Sequence, residues 1–429
     1  MIAQISDSIK QVVVIGGGFA GINFAKQLAK DNRFEITLVD KNNYYFFPPL
    51  IYQVATGFLE TSSISYPFRK LFRKMDAVHF RFGSLQKVDI DTNTCHLDNG
   101  ILKYDCLVFA TGSEPNYFGN ENIKKNAIPM KTINDALLMR NKLLQNLEQA
   151  TITTDAAERK KLLTIVIAGG GPTGVEVAGM LAELRKYILK RDYPELSDAS
   201  GDIYLVEAAK NLLVEMSAQS HKDAKRELNL LGVKIKLNTL VKDFTNDIVY
   251  LSNGETIESK NLIWTAGVNA IMFDGIPITC IGKGKRMLVD AYNKVIGLHH
   301  IYAIGDSCLQ LTDAAFPKGH PQLAQVAIQQ GKNLARNFSN IAIGKSTHGF
   351  AYFDKGTMAI IGRNKAVVDL PKPNLHFKGY IALLMWLFIH LMSLVTYRNK
   401  MHTLYNWIIA YFTRDQSLRM IIRPEKKTM

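Results

Sequence analysis

Two glycine-rich turns of the same form constrain this chain more than any other feature. KQVVVIGGGFAGINFAKQLAK opens with an apolar strand, Val12 to Ile15, followed by glycines at 16, 18 and 21. LLTIVIAGGGPTGVEVAGMLAEL repeats the pattern, with a strand expected over 163–168 and glycines at 169, 171 and 174. The first glycine makes a tight turn, the second lets a pyrophosphate approach the backbone, and the third lets helix pack on strand. The pyrophosphate then lies at a helix N-terminus, which favours negative charge.

An acidic residue ends the strand that follows each turn, FEITLVDK at Asp40 and DIYLVEA at Glu207. A carboxylate there accepts hydrogen bonds from a ribose, and Glu207 favours the free 2′-hydroxyl of NADH over the 2′-phosphate of NADPH. Two such fingerprints predict an α/β chain with two Rossmann-like dinucleotide-binding domains. The economical pair of ligands is a flavin and a nicotinamide, because a flavin takes a hydride and passes electrons on.

The net charge indicates the kind of partner, and the cysteine spacing indicates the state of the thiols. The net charge of +14 predicts an anionic partner, which is a nucleotide, a nucleic acid or a membrane face. No nucleic-acid-binding module accompanies the charge, so we predict no nucleic acid. The four cysteines (Cys95, Cys106, Cys280, Cys308) form no CxxC pair, which predicts reduced thiols and no metal site. The N-terminal residues lack the layout of a signal peptide, so we expect a cytoplasmic compartment.

Several further motifs together indicate a family. KYDCLVFATGSEPN (103–116) and KNLIWTAGV (260–268) each pair a strand with a small turn, and HHIYAIGDSC (299–308) contains Gly305-Asp306. NNYYFFPPLIYQVATG (42–57) has no cysteine where disulfide reductases carry CxxxxC. With GGGPTGVE and PQLAQVAIQQGKNLARN, the chain closely resembles the type II NADH:quinone oxidoreductases, the single-subunit, non-pumping NADH dehydrogenases among the two-dinucleotide-binding flavoproteins.

The resemblance implies site residues for each ligand. For FAD it implies Gly16, Gly18, Phe19, Ala20, Gly21, Asp40, Lys41, Thr111, Gly112, Asp306, Ala324 and Gln325. For NADH it implies Gly169, Gly171, Pro172, Thr173, Gly174, Glu176, Glu207, Ala266 and Gly267. For the quinone it implies Gln325, Gln329, Lys378 and Ile381, and for catalysis Glu176, Gln325 and Lys378.

Three of these residues have a plainer interpretation. Glu176, expected in the first turn of its helix, could be an acid that stabilises the helix dipole by about 0.3–1 kcal/mol. The resemblance instead places Glu176 near the junction of nicotinamide and flavin. A carboxylate buried against two ring systems could have a raised pKa and exchange protons near neutrality. Gln325 could belong to a glutamine-rich surface helix, and Lys378 could be an ordinary interfacial lysine.

The C-terminal stretch YIALLMWLFIHLMSLV (380–395) is short for a membrane span. Its sixteen residues reach about 24 Å as a helix, against a hydrocarbon core of about 30 Å. TLYNWIIAYF and SLRMIIR follow, with Tyr405, Trp407 and Tyr411 and with flanking basic residues Arg398, Lys400, Arg414, Arg419 and Arg423. This pattern predicts a helical anchor that lies in the membrane interface. A span and a core or dimer-interface helix stay open, and we expect His390 to be packed or interfacial.

We therefore predict five segments: 9–120 and 285–340 for FAD, 121–284 for NADH, 341–371 as a small β meander, and 372–429 as the membrane anchor. The expected enzyme is peripheral on the cytoplasmic face of the cell membrane and passes a hydride from NADH to FAD, then two electrons to a quinone. Its expected partners are NADH, membrane quinone and lipid, and a homodimer stays open. The rivals are a reductase with a soluble acceptor such as a ferredoxin or rubredoxin, and an NADH-sensing flavoprotein resembling apoptosis-inducing factors.

Overall fold

The computed structural model describes residues 9–196, 201–413 and 418–422, so Arg414, Arg423 and part of SLRMIIR lie outside the described residues. The strands are β1 Lys10–Ile15, β2 Phe34–Asp40, β3 Tyr44–Phe46, β4 Ser65–Pro67, β5 Val78–Phe82, β6 Leu85–Asp89, β7 Thr94–Leu97, β8 Gly100–Lys103, β9 Cys106–Phe109, β10 Ser113–Pro115, β11 Ile128–Pro129, β12 Ile165–Ala168, β13 Ile203–Val206, β14 Val233–Lys236, β15 Val241–Thr245, β16 Ile248–Leu251, β17 Thr256–Glu258, β18 Asn261–Trp264, β19 Val268–Ala270, β20 Met287–Val289, β21 Ile301–Ala303, β22 Cys308–Gln310, β23 Thr357–Gly362, β24 Lys365–Pro371 and β25 Asn374–Lys378.

The α-helices are α1 Phe19–Leu28, α2 Ile51–Ala55, α3 Thr61–Ile64, α4 Phe68–Phe72, α5 Glu121–Asn126, α6 Ile133–Ile152, α7 Ala156–Leu163, α8 Pro172–Leu184, α9 Lys190–Asp192, α10 Ala218–Leu230, α11 Ala324–Ala342, α12 Gly379–Ser393 and α13 Tyr397–Thr413. The chain divides into two compact units. Unit 1 holds the described residues up to Phe46, Tyr66–Glu114 and Val268–Asp354. Unit 2 holds Phe47–Ser65, Pro115–Gly267 and the described residues from Lys355 onward.

Unit 1 is built on a five-stranded parallel sheet with the order β21-β9-β1-β2-β5. Strand β1 is the central strand of this sheet, and its apolar run is buried, as expected for a strand covered on both faces. Helices α1 and α11 pack so closely that a Cβ on Gly331 would lie 2.5 Å from the carbonyl oxygen of Ala20. A three-stranded antiparallel sheet, β6-β7-β8, precedes β9 in the chain.

Unit 2 repeats this plan. Its parallel sheet has the order β11-β18-β12-β13-β14, and a three-stranded antiparallel sheet, β15-β16-β17, again precedes the last parallel strand, β18. In each unit the glycine turn follows the central strand, and the acid-ended strand lies directly beside it, with Ile15 opposite Val39 and Ala168 opposite Val206. Each glycine turn and its acid are therefore brought to the carboxyl end of the same sheet.

The C-terminal part of unit 2 is an antiparallel meander followed by two helices. Strands β23, β24 and β25 pair in sequence order, so the meander extends to Lys378, into the segment expected to begin the anchor. Helix α12 packs on β24, and its buried residues are Ala382, Leu383 and Trp386. Among the described residues, no helix has the length and apolar content needed to cross a membrane.

Candidate functional site

The first glycine turn, in unit 1, leaves an open space at its outer face. Gly16 has a φ of +103°, and a Cβ there would lie 2.4 Å from the carbonyl oxygen of Ala110, so only glycine fits. A Cβ on Gly18 would meet nothing within 4 Å. Gly18 also caps α1 without a side-chain hydrogen bond. The N-terminus of α1, where the helix dipole is positive, therefore faces this open space and is suited to bind an anion.

Asp40 is held by the backbone of the turn it serves. One carboxylate oxygen, Oδ2, accepts a hydrogen bond from the N–H of Gly17 at 2.7 Å, and Oδ1 accepts one from the N–H of Asn42 at 2.7 Å. Burial raises the pKa of Asp40, and these two N–H donors oppose the rise. Each oxygen keeps a lone pair for a further donor such as a ribose hydroxyl.

The Gly305-Asp306 turn lies beside residues 111–113 in the same unit. Ser113 donates its hydroxyl to Asp306 Oδ2 at 2.7 Å, and the hydroxyls of Thr111 and Ser307 are 3.2 Å apart. A Cβ on Gly16 would lie 2.9 Å from the Cα of Thr111, so these residues adjoin the first glycine turn. The structure thereby brings together Gly16, Gly18, Thr111 and Asp306, as the sequence predicts for one ligand.

The three glutamines of α11 differ in their surroundings. Gln330 is fully buried, and its Oε1 accepts a hydrogen bond from the N–H of Gly305 at 2.7 Å. Gln329 is bonded at both ends of its amide to the backbone of Phe353, at 2.9 Å and 3.1 Å. Gln325 is half-buried in the first turn of the helix. Gln330 therefore fixes the Gly305-Asp306 turn, a role that the motifs did not predict.

The second glycine turn, in unit 2, has the same design. A Cβ on Gly174 would lie 1.8 Å from the carbonyl oxygen of Gly169, whereas a Cβ on Gly171 would meet nothing within 4 Å. Pro172 occupies the first position of α8, where its missing N–H removes no helical hydrogen bond. Thr173 follows it in the first turn, so the predicted residues form one open cradle at the N-terminus of α8.

Glu207 repeats the arrangement of Asp40. Its Oε2 accepts a hydrogen bond from the N–H of Gly170 at 2.5 Å, and its Oε1 accepts one from the N–H of Ala209 at 2.7 Å. Ala266 and Gly267 follow the end of β18, and a Cβ on Gly169 would lie 2.9 Å from the Cα of Ala266. The predicted residues at 169–174, 207 and 266–267 are thus gathered at one edge of the unit 2 sheet.

Glu176 is a buried acid. It is 7% exposed and lies just beyond the first turn of α8, so its expected place in that first turn was wrong. Its Oε1 accepts a hydrogen bond from the N–H of Ile360 at 3.4 Å, and a Cβ on Gly179 would lie 1.9 Å from the carbonyl oxygen of Ile361, because α8 and β23 approach closely. Burial raises the pKa of Glu176 to about 8, against the opposing effects of the Ile360 N–H and the Trp386 indole.

Two tryptophans of the tail helices pack against each other, and one of them is bonded to α2. Trp386 of α12 is fully buried, and its ring centroid is 5.8 Å from that of Trp407 of α13. Trp407 donates its indole N–H to Gln53 Oε1 at 2.8 Å, and the Gln53 amide donates to the hydroxyl of Tyr52 at 3.1 Å. Burial raises the pKa of Tyr52 well above its usual value, and the charge of Glu176 adds to the rise.

His390 stacks on Trp386 with ring centroids 3.8 Å apart and an interplanar angle of 17°. Its Nδ1 lies 2.8 Å from the carbonyl oxygen of Trp386, so Nδ1 carries the proton. Burial lowers the pKa of His390 to about 4. The stacking agrees with the expectation of a packed or interfacial histidine. We call the set Tyr52, Gln53, Glu176, Trp386, His390 and Trp407 the Glu176 cluster.

Lys378 and Ile381 lie at the start of α12, and both are exposed. Lys378 is the last residue of β25, and its Nζ is 3.4 Å from Asp223 Oδ1. Ile381 is 61% exposed. Their expected contact with a quinone stays a prediction.

The cysteines are buried or half-buried and free. Burial raises the pKa of Cys95 and Cys308 to about 12 and that of Cys106 to about 11. These three thiols therefore stay protonated near neutrality, which does not suit thiolate chemistry. The described residues contain no group of histidine, cysteine and acidic side chains able to hold a metal ion.

Comparisons with known proteins agree with this geometry. The family model "pyridine nucleotide-disulphide oxidoreductase" matches residues 10–331, and the model of the NDH2 C-terminal domain matches residues 355–415. The type II NADH:quinone oxidoreductase NdhA of Mycobacterium tuberculosis is 34% identical over 421 residues, covering 94% of this chain and 87% of the relative. The enzyme Ndh of the same organism is 33% identical over 416 residues, covering 94% and 88%.

This chain belongs to the type II NADH:quinone oxidoreductases. The resemblance inferred from the motifs is thereby confirmed, and the chain is an oxidoreductase of a flavoprotein family. Solved structures show the same fold. NDH2 of Plasmodium falciparum in complex with NADH matches with a TM-score of 0.87 at 22% identity, covering 97% of this chain and 100% of that one. The sulfide:quinone oxidoreductase of Aquifex aeolicus matches with a TM-score of 0.73 at 19% identity, covering 95% and 96%.

Several residues that support the sites of this type II enzyme are not evident from its motifs. Gly17 and Gly170 donate the N–H groups that hold the two acids, and the middle glycine of each GGG was a signal for them. Trp386 and Trp407 stand in apolar runs, where nothing local distinguishes an inward ring from a lipid-facing one. Their roles depend on partners that are distant in the sequence, such as Gln53 for Trp407.

Proposed function

We propose that this type II enzyme binds FAD non-covalently in unit 1 and oxidises NADH bound in unit 2, with a membrane quinone as the acceptor. The observation that carries the proposal is the pair of matching cradles. Each has an open outer face at its second glycine, Gly18 or Gly171, and each has an acid held against the turn by a backbone N–H. One chain with two such cradles is suited to two dinucleotides.

The residues of unit 1 fit an FAD molecule. In the proposal, the turn Gly16–Gly21 with Phe19 and Ala20 receives the pyrophosphate, and Asp40 with Lys41 receives the adenosine ribose. Thr111, Gly112 and Asp306 receive the rest of the chain, while Ala324 and Gln325 lie along the ring. When bound, the flavin supplies the capacity to accept a hydride and to pass electrons on. Asp306 Oδ2 is already fixed by Ser113, so its orientation is set before binding.

The residues of unit 2 fit NADH better than NADPH. Both Glu207 oxygens are fixed by backbone donors, and each can still accept from a ribose hydroxyl. A 2′-phosphate would meet the Glu207 carboxylate instead of a cation. Holding the nicotinamide at near-attack distance replaces an improbable encounter in solution, and this positioning is the main contribution of Gly169, Gly171 and Gly174.

Reduction of a quinone also needs protons, and Glu176 is suited to hold one. Its pKa of about 8 keeps Glu176 largely protonated at neutral pH. Because this pKa is close to neutrality, the carboxyl group can both release and take up a proton. We propose that Gln325, Gln329, Lys378 and Ile381 contact the quinone, as family membership implies. On the same basis we propose that the enzyme pumps no protons.

The tail helices support attachment to a membrane. Helix α12 carries an outward apolar stripe of Ile381, Leu384, Phe388 and Met392, and α13 carries one of Met401, Tyr405, Ile408 and Phe412. The opposite face of α13 is fixed by Asn399, whose amide donates to the carbonyl oxygens of Ser62, Ser63 and Ser65 at 3.0, 2.9 and 3.1 Å. Exposed apolar stripes on docked helices are typical of a monotopic anchor. We propose attachment at the cytoplasmic face, and a homodimer stays a prediction.

Steady-state NADH oxidation by the FAD-loaded enzyme tests the proposal. We expect rapid turnover with a short-chain quinone, a much lower rate with NADPH, and slow turnover with a ferredoxin or rubredoxin. Turnover only with an iron–sulfur protein would show that the acceptor is soluble. Binding of NADH without appreciable turnover on either acceptor would favour the sensor alternative.

A further inference from the structure

Lys378, at the start of the first tail helix, is paired with a buried acid of α10. Its Nζ lies 3.4 Å from Asp223 Oδ1. The Lys378 side chain is 57% exposed, whereas that of Asp223 is 10% exposed. Both residues line a cavity of about 170 Å³ beside the start of α12. A ligand that enters this cavity can therefore reach the ammonium group while the ammonium stays paired with Asp223.

Asp223 is itself fixed by partners on two elements. Nη2 of Arg226, three residues further along α10, lies 3.2 Å from Asp223 Oδ1. Nε2 of His376, in β25, lies 3.2 Å from Asp223 Oδ2. Both carboxylate oxygens are thus held by groups other than Lys378, so the acid is a fixed partner for the lysine.

His376 is fixed in turn by Asp369 of β24. Nδ1 of His376 lies 2.8 Å from Asp369 Oδ1. Asp369 also accepts hydrogen bonds from the N–H and the hydroxyl of Ser217 at 2.7 and 2.9 Å, and from the hydroxyl of Ser220 at 2.9 Å. Ser217 is the N-cap of α10. A continuous set of polar contacts therefore runs from the start of α10 through the meander to Asp223 and Lys378.

A lysine needs such support to hold its charge in one place. Its ammonium ends a flexible four-carbon stem, and ordering that stem costs conformational entropy. An isolated ion pair at the surface contributes little, but a pair within a network of charges contributes more. Asp223 meets this condition, because its own position is set by α10 and by β25.

We propose that Asp223 is a positioning residue for quinone binding: it holds the Lys378 ammonium at the cavity, and His376 and Asp369 hold Asp223. The inference rests on the proposed function to the extent that Lys378 contacts the quinone. Without the Asp223 charge, the ammonium samples other rotamers, and quinone binding then includes the cost of ordering it. Helix α10 and the meander thereby support the acceptor site without touching the acceptor.

Steady-state kinetics of the FAD-loaded, full-length enzyme in detergent with a short-chain quinone test this role. Asp223→Asn keeps the shape of the side chain and removes its charge. We expect the KM for the quinone to rise about two- to fivefold, the factor that a partly exposed ion pair supplies. The KM for NADH should be unchanged, and kcat should be kept because a bound quinone orders the ammonium itself. Lys378→Met should raise the KM less in the Asp223→Asn background than in the wild type, because the pair is already broken.

Glu227→Gln is the matched control. Glu227 lies four residues after Asp223 on α10, its side chain is 12% exposed, and it pairs with Arg226 and Lys365. This substitution therefore also removes one buried charge from α10, at a site that holds another lysine. Its KM for the quinone should stay at the wild-type value.

Amine labelling measures the pairing without any quinone. A lysine must leave its carboxylate before an N-hydroxysuccinimide ester can acylate it, and peptide mass spectrometry follows each site. Asp223→Asn should raise the labelling rate of Lys378 about two- to fivefold and leave that of Lys365 unchanged. Glu227→Gln should raise the labelling of Lys365 and leave that of Lys378 unchanged.

Unchanged labelling of Lys378 in Asp223→Asn, or an equal rise of the quinone KM in Glu227→Gln, would overturn the proposal. Labelling that changes as expected, together with an unchanged quinone KM in Lys378→Met, would instead count against the quinone contact of Lys378, which belongs to the proposed function. If Asp223→Asn does not fold, His376→Asn takes its place. It keeps a donor for Asp369 and removes the contact with Asp223, so the labelling of Lys378 should rise in the same direction.

Discussion

Glu176 is an acid that folding transfers from water into an apolar interior, and stability should therefore depend on its charge. Its pKa is about 8 in the folded protein and near 4.5 when unfolded, so the unfolded chain loses this proton first as the pH rises. Between pH 4.5 and pH 8 Glu176 is ionised in the unfolded chain and protonated in the folded protein. Each unit of pH in this range therefore lowers the free energy of unfolding by up to about 1.4 kcal/mol. We expect Glu176→Gln to raise the free energy of unfolding by less than about 1 kcal/mol at pH 5 and by about 4–5 kcal/mol at pH 9.

Urea unfolding of both proteins at pH 5, 7 and 9 measures this difference. Glu121→Gln is the control, since its side chain is 79% exposed on a helix of the same unit. A difference between Glu176→Gln and the wild type that stays constant with pH would mean that the carboxyl is not transferred into an apolar site. The pH dependence separates the charge effect from any change in packing made by the amide.

The second and third glycines of the second nucleotide turn, Gly171 and Gly174, should respond differently to substitution by alanine. In Gly174→Ala the new Cβ would meet the Gly169 carbonyl oxygen at 1.8 Å, so α8 has to move away from β12. Overpacking of this kind costs about 1–3 kcal/mol or more. In Gly171→Ala the Cβ enters open space, so stability should be unchanged while the KM for NADH rises at least about tenfold, the equivalent of 1.4 kcal/mol.

Thermal unfolding and NADH kinetics on the two variants distinguish the roles. An unchanged KM for NADH in Gly171→Ala would show that the open face at Gly171 is not a ligand site. FAD content is the internal control, because both substitutions lie in unit 2 and the proposed FAD residues lie in unit 1.

The same elements explain what could be predicted from the sequence. Each cradle is specified by residues close together in the chain, a strand, a glycine turn and a helix, so both were predictable with their acids. The alternation of apolar and polar residues predicted the meander, but it did not predict the third strand, Asn374–Lys378. Helix α12 is apolar on both faces, so periodicity gave no means of distinguishing the buried Trp386 from the exposed Phe388.

The tail helices carry outward apolar stripes and also the buried Trp386 and Trp407, so a test of membrane attachment has to separate the two. Deleting the chain from Gly379 onward should release the protein from membranes, but it would also remove Trp386 and Trp407 from the Glu176 cluster. Lost activity in such a truncated protein would not distinguish detachment from damage to the cluster. Substitutions on the outward stripe alone avoid that ambiguity.

Phe388 and Phe412 are 65% and 78% exposed, one on each tail helix, and neither belongs to the Glu176 cluster. Burying one such side chain in lipid contributes about 1.5–3 kcal/mol. The double variant Phe388→Glu, Phe412→Glu should therefore bind vesicles containing anionic lipid at least about 100-fold more weakly. Its NADH oxidation with a water-soluble quinone should match the wild type. Ile152→Glu, which charges an exposed apolar residue at the end of α6, is the control and should keep full vesicle binding. Cosedimentation of the double variant at the wild-type level would show that the stripes of α12 and α13 do not contact the membrane.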